Sequence, residues 1–269
     1  MADWLQGALT TMTLCWRLDR RDGVTIGLTA HDRDLERNGL VYRAAPGMTP
    51  SAIKRGAGLD VDTMDVTGAL DHGAIDAADL RAGRWDGARV TLFAVDWERP
   101  DTPIELGRGT IGDVETTDTA FTAELRGVTA ALERAAVEET APACRAALGD
   151  GRCRVAMAGR RRMARVVTAE NVVLTLDREE PIGNAYGFGM LAWFSGPNSG
   201  LRAAIAASDG ATVTLRRPPR FETVGALVEI TEGCDKQLAT CAERFGNAVN
   251  FRGEPYLPGI DLLTRYPGA

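Results

Sequence analysis

Histidine is nearly missing from this chain: only His31 and His72 occur in 269 residues. The short signatures of nucleotide and hydrolase chemistry are missing too. There is no G-x-x-x-x-G-K-[ST], no G-x-S-x-G and no H-E-x-x-H, so the phosphate loop, the nucleophile elbow and the helical zinc-protease site are excluded in their usual forms. No apolar run reaches the roughly 18–20 residues that a membrane-spanning helix needs. The opening MADWLQGALTTMTLCWRLDR carries an acid at Asp3 and no basic stretch. It does not read as a signal peptide, and the expectation is folding in a reducing cytosol, where structural disulfides are rare. Positive charge is in deficit, with 31 Lys and Arg against 37 Asp and Glu and a net charge of −6. General nucleic-acid binding needs the opposite balance.

What is present is enough apolar residue, 45% of the chain, to bury one large core or two small ones. From Met12 to Leu125 the pattern is that of strands. TMTLCWRLDR is β-branched and aromatic, and Arg21-Asp22-Gly23 is a turn, so residues 12–31 read as a hairpin. GLVYRA, LDVDTMDVTGAL, ARVTLFAVDW and FTAELRGV continue the series at the spacing of an antiparallel sandwich or barrel. ADLRAGRWDG, residues 78–87, reads as a short helix stopping at Gly83. Residues 128–148 are alanine-rich, with helical periodicity up to Glu139 and a break at Pro142. A second strand-rich stretch runs from Arg165 to Ile230. The class is mainly β, of the α+β kind, divided as 1–130, a first β module; 131–164, a helical linker; 165–232, a second β module; and 233–269, a C-terminal lobe.

Four of the five cysteines form two close pairs. Cys144 and Cys153 enclose eight residues, and Cys234 and Cys241 enclose six. Cys15 stands apart in the first strand and reads as a small buried hydrophobe. If 234–241 is helical, seven residues at about 1.5 Å rise part the α-carbons by about 10 Å, too far for the roughly 4.4–6.8 Å of a disulfide. Neither pair has the C-x2–4-C spacing usual for zinc. Three readings stay open on spacing: buried free thiols, a zinc site, and an iron–sulfur cluster, which as a larger body accepts thiolates set further apart. Arg145, Arg152, Arg154 and Lys236 are neighbours that could offer donors to sulfur.

Other polar groups read more plainly. His31, Asp32 and Asp34 belong to a turn in which aspartates cap backbone amides. Arg160, Arg161, Arg162 and Arg165, and Arg216, Arg217 and Arg220, read as solvated or interface charge. Asn247, Asn250, Phe251, Arg252 and Gly253 follow a helix ended by Gly246, and are expected to cover the second pair and donate hydrogen bonds towards it.

The run GCDKQLATCAERFGNAVNFRGEPYLPGID resembles the C-terminal signature of a phage tail hub family that includes the hub of bacterial gene transfer agents. CWRLDRRDGVTIGLTAHDRDL, GTIGDVETTDTAFTAELRGV, CRAALGDGRC and YGFGMLAWFSGPNSG resemble other parts of it, so the likeness covers most of the chain. The cysteine pattern is also similar to that of the lambdoid tail-tip protein L, in which C-x8-C and C-x6-C hold a [4Fe–4S] cluster. By that resemblance Cys144, Cys153, Cys234 and Cys241 are the ligands, although here about 80 residues part the pairs, more than in the lambdoid pattern. The resemblance implies two tail-hub β-barrel or sandwich modules with a small helical iron–sulfur lobe, and a structural protein, not an enzyme. It implies a homotrimer that joins a sixfold tail tube and distal tail protein to a threefold tip. Its neighbours would be a tip or fibre protein and a cell-wall peptidase, with tape-measure protein and DNA passing through the channel. The expected place is a phage-like particle assembled in the bacterial cytoplasm. The alternative is a cytosolic iron–sulfur redox protein, and the alternative metal is zinc.

Overall fold

The computed structural model describes residues 11–45, 49–50, 63–69, 75–117, 120–127 and 137–257. The chain divides into two compact units, residues 1–136 and 137–269.

The first unit is a nine-stranded mixed sheet. Strand β1 (Met12–Asp19) and β2 (Thr25–Thr29) form the expected hairpin, with Cys15 opposite Thr29. They are followed by β3 (Leu35–Arg37), β4 (Leu40–Ala44), β5 (Thr49–Pro50) and β6 (Thr63–Ala69). Helix α1 (Ala77–Arg81) precedes β7 (Arg89–Asp96), β8 (Ile104–Thr116) and β9 (Ala120–Arg126). The spatial order is β3-β4-β2-β1-β7-β8-β9-β6-β5. The sheet is mixed because β4 runs parallel to β2.

Strands β1 and β7 are central and are covered on both faces. Trp16, Leu18, Leu92 and Trp85 belong to the larger core, while Cys15, Tyr42, Phe93 and Val95 form a second. Burial on both faces explains why these two strands read as near-continuous apolar runs. Helix α1 starts where the Asp76 carboxylate accepts the Ala78 N–H at 2.7 Å. Gly83, at φ +78°, follows its end, as a left-handed residue does after many helices.

The second unit contains a closed barrel of six strands: β10 (Arg161–Glu170), β11 (Val173–Leu176), β12 (Met190–Trp193), β13 (Arg202–Asp209), β14 (Thr212–Leu215) and β15 (Leu227–Thr231). β15 closes it by pairing with both β10 and β12. Two strands turn the corners. The first half of β10 pairs with β15 and the second half with β11, with a bulge between Val166 and Thr168. β13 passes from β12 to β14 across a bulge between Ile205 and Ala207. Bulges bend and twist a strand, which is what a small barrel requires. Leu174, Leu191, Ile205, Val213, Val228 and Ile230 fill the interior and are almost wholly buried. The hairpin turns use Asn171 at φ +51° and Gly210 at φ +56°, residue types that tolerate left-handed backbone.

Two expectations meet a different structure. The alanine-rich helix expected up to Glu139 falls mostly on residues 128–136, which lie outside the described residues. The described part of the expected helical linker, residues 137–160, is turns and irregular chain, shaped by the Asp150 turn and the ion pairs of Glu138. YGFGMLAW lies in the strand-rich stretch from Arg165 to Ile230 but is strand only from Met190, where β12 begins, and residues 183–188 are turns. Phe188 takes φ +61°, which a strand residue cannot do.

Candidate functional site

All four paired cysteines lie in the second unit, within two irregular arms. One arm is the chain before β10, the other the chain after β15. All five cysteines are free thiols. Cys15 is buried in the first unit, where its S–H donates to Thr29 Oγ1.

Cys234 lies in the loop ahead of helix α2 (Leu238–Glu243), and Cys241 sits within that helix. The argument that both ride one helix, about 10 Å apart, therefore fails. The turn Cys234-Asp235-Lys236 places Lys236 at φ +68°, and its N–H donates to Cys234 Sγ at 3.4 Å. The Cys144 N–H donates to Lys236 O at 2.9 Å, which joins the first arm to the second. The Arg252 N–H, from the loop expected to cover the site, donates to Cys144 Sγ at 3.4 Å.

The other two cysteines meet through Asn247, a nearly buried residue. Its N–H donates to Cys241 O at 2.9 Å, and its side-chain amide donates to Cys153 O at 2.6 Å. The same amide lies 3.8 Å from Cys153 Sγ. Cys153 itself is fixed by Asp150, whose carboxylate accepts N–H groups from Cys153 (2.7 Å), Ala147 (2.8 Å) and Arg152 (2.9 Å). These bonds, that from Cys153 first, hold the Asp150 carboxyl below its usual range.

Burial, and after it the charges of Cys234, Cys144 and Cys153, push the Cys241 thiol up. Burial is also the largest cause raising Cys234. Cys241 thus stands within electrostatic reach of the other three sulfurs, and Cys234 within reach of Cys144, where a neighbouring negative charge disfavours the thiolate. Among the described residues no three His, Cys, Asp or Glu side chains have the spacing to hold one ion.

The arginines expected to face sulfur do something else. Arg145 reaches Glu254 with two nitrogens, at 2.5 and 2.8 Å, and Glu138 at 3.2 Å. Arg152 pairs with Glu138, and Arg154 donates to Gly151 O. The Ala141 N–H also donates to Glu254 Oε2, and the Glu254 N–H to Ala141 O. These bonds tie the arms together without using sulfur. Arg145 first, then the Ala141 N–H, hold the Glu254 carboxyl at about 2 against a usual 4.5. Its contribution to stability is therefore complete above pH 4.5 and is lost as pH falls through 2. Acid-dependent unfolding of the wild type is expected to steepen in that window, and Glu254→Gln is expected to flatten it, as thermal melts at stepped pH will show.

The second arm is seated on the barrel end by charge. Glu232 is nearly buried and accepts from Arg160 at 2.6 Å and Arg244 at 2.9 Å. Arg244 also donates to Ala185 O and Gly233 O, and the two guanidiniums lie 5.0 and 4.8 Å from the Phe245 ring. Removing one partner from such a buried set leaves charges uncompensated. Glu232→Ala is expected to cost about 3–5 kcal/mol in denaturant unfolding.

Sequence reading missed the backbone weave beside Cys234. Gly233 packs against Gly187, Phe188 and Gly189 so closely that a Cβ would meet Gly187 O and Gly189 N. Phe188 is displaced outward and half exposed, with the Arg216 guanidinium 5.9 Å from its ring. The dense glycines of YGFG and EGC were the available signal.

The remaining candidates resolve into local structure. His31 Nδ1 accepts the Arg33 N–H, and Asp34 accepts the Ala44 N–H, as capping groups do. His72 lies outside the described residues. Arg160 is used by Glu232, and Arg165 donates to Gly225 O. No helix among the described residues is long and apolar enough to cross a membrane.

Comparison with known proteins adds identity. Residues 1–156 match the family model described as "Baseplate hub protein, N-terminal attachment domain". Residues 184–261 match one described as "Phage conserved hypothetical protein BR0599". A chain of a solved structure titled "Virion of native gene transfer agent (GTA) particle" is 38% identical, with a TM-score of 0.87 over 98% of this chain and 94% of that one. No curated protein matches.

Proposed function

The chain belongs to the phage baseplate hub family, and from that premise we propose that it is the structural hub of a phage-like tail tip, stabilised by a [4Fe–4S] cluster on Cys144, Cys153, Cys234 and Cys241. The observation that carries the cluster is the convergence of four free sulfurs, three of them facing main-chain or amide N–H donors. N–H groups aimed at sulfur are what a thiolate-bound cluster uses to disperse its negative charge.

The role of the cluster is mechanical. Bound metal supplies bonds that the unfolded chain lacks, so its binding energy becomes folding energy. The chain does the rest: Asp150 shapes the Cys153 turn, Asn247 joins Cys153 to Cys241, and Glu254 with Arg145 ties the arms. The whole barrel lies between the two cysteine pairs, so a clamp there closes its ends in one knot.

As a hub the chain would act as a homotrimer, adapting a sixfold tube and distal tail protein to a threefold tip. It would adjoin a tip or fibre protein and a cell-wall peptidase, around a channel for tape-measure protein and DNA. It performs no catalysis in this reading. Its likeness to a virion chain over nearly its full length supports a particle component over a cytosolic redox carrier. Particles assembled without this chain are expected to show tubes lacking tips by electron microscopy. Complete tips in its absence would overturn the hub reading.

A further inference from the structure

We propose that Lys236 is the positioning and charge-compensating residue of the four-cysteine centre. The inference rests on the cluster reading above and goes past it, to the residue that holds both cysteine arms in register. Three groups of Lys236 are engaged. Its N–H donates to Cys234 Sγ at 3.4 Å, its carbonyl accepts the Cys144 N–H at 2.9 Å, and its Nζ donates to Ala146 O at 2.5 Å. The first lies on its own arm and the other two reach the facing arm, so the Lys236 backbone and side chain fasten the same junction.

The backbone state is unusual. Lys236 stands at φ +68°, a left-handed conformation that costs a non-glycine residue free energy and persists where surrounding contacts over-determine it. Glycine would take it freely, yet a lysine is there. The residue's identity therefore asks for a reason beyond the turn.

Charge gives that reason. Of the chain's 31 basic residues only two are lysines, Lys54 and Lys236. Four of the lobe's other cations pair off with carboxylates: Arg145 with Glu254 and Glu138, Arg152 with Glu138, and Arg160 and Arg244 with Glu232, while Arg154 turns to Gly151 O and Arg252 meets Cys144 through its backbone N–H. Among the described residues Lys236 belongs to no ion pair and binds a neutral carbonyl instead. Its positive charge acts on Cys234, the sulfur that its own N–H meets. A compact ammonium on a flexible stem suits that position, whereas a planar guanidinium seeks a carboxylate fork.

The test uses full-length wild type, Lys236→Met and Lys236→Arg, each purified anaerobically and reconstituted with ferrous iron and sulfide. Two quantities are read: the rate of cluster loss to a chelator and the reduction midpoint potential. Methionine keeps the apolar stem and the backbone donor and removes the charge. The expected result is about tenfold faster loss and a more negative potential for Lys236→Met, with Lys236→Arg keeping the wild-type potential. Equal rates and potentials in wild type and Lys236→Met overturn the inference. So does faster loss in both variants at an unchanged potential, which would mark a packing role alone. A wild type that takes up no iron refutes the cluster itself, and is recognised because it fails before any substitution is made.

Discussion

Cys241→Ser is expected to abolish the visible absorbance near 400 nm of anaerobically purified protein and to cut bound iron about tenfold or more. The same is expected of serine at Cys144, Cys153 or Cys234. The reasoning is geometric and electrostatic. Cys241 is buried and feels the other three sulfurs, and it is coupled to Cys153 through Asn247. A hydroxyl there is a poor anion, so one corner of the core loses its bond while three thiolates stay crowded. Cys15→Ser is the control. That thiol is buried in the other unit against Thr29, and its replacement is expected to leave iron content unchanged. Iron loss from Cys15→Ser equal to that from Cys241→Ser would mean that iron binding does not report on the paired cysteines.

Gly233→Ala is expected to destabilise the second unit by about 3 kcal/mol, lowering its melting temperature by about 10 °C. The added methyl would strike the backbone of residues 187–189, and backbone cannot step aside as the end of a side chain can. Two consequences follow from the same collision. The end of β15 would part from the 186–189 turn, and Cys234, the next residue, would leave its place beside Lys236. The variant should therefore lose iron as well as stability. Gly151→Ala is the matched control: that glycine has open space for a Cβ, although it lies between Cys144 and Cys153. A Gly233→Ala protein that melts like the wild type would show that the strand ends are not packed as described.

Much of the fold could be read from period and turn signals. The β1–β2 hairpin, the Gly83 stop, and the β13–β14 hairpin about Gly210 each had a local cause, and local causes are visible in sequence. What could not be read depends on tertiary contact. Alanine propensity favours a helix up to Glu139, yet residues 137–148 are irregular: Asp150 holds a local turn, and Glu254 takes Arg145 and the Ala141 N–H from more than 100 residues away. YGFG looked like the start of a strand, but its glycines serve a close backbone approach from residues 231–233. Barrel closure depends on bulges at Val166–Thr168 and Ile205–Ala207, which no single residue type announces.

The site was legible to a similar degree. The spacing of Cys144, Cys153, Cys234 and Cys241 named the residues but left zinc, free thiols and a cluster open. The distance argument held only if residues 234–241 were helical, and the helix begins after Gln237, which leaves Cys234 in the preceding loop. The covering role of Asn247 and Arg252 was readable from their place after Gly246, and both bond to cysteine groups. Assigning Arg145 and Arg152 to sulfur failed since carboxylates 109 and 14 residues away compete for them. Glu254 and Glu138 are far better partners for a guanidinium fork than a thiolate is.

The central claim is that four distant cysteines share one inorganic core. Iron and acid-labile sulfide in protein expressed with iron and purified without oxygen test it most directly. The account predicts about four of each per chain, following the four-thiolate ligation of such clusters. Stoichiometric zinc without iron, or no metal after reconstitution, would contradict it.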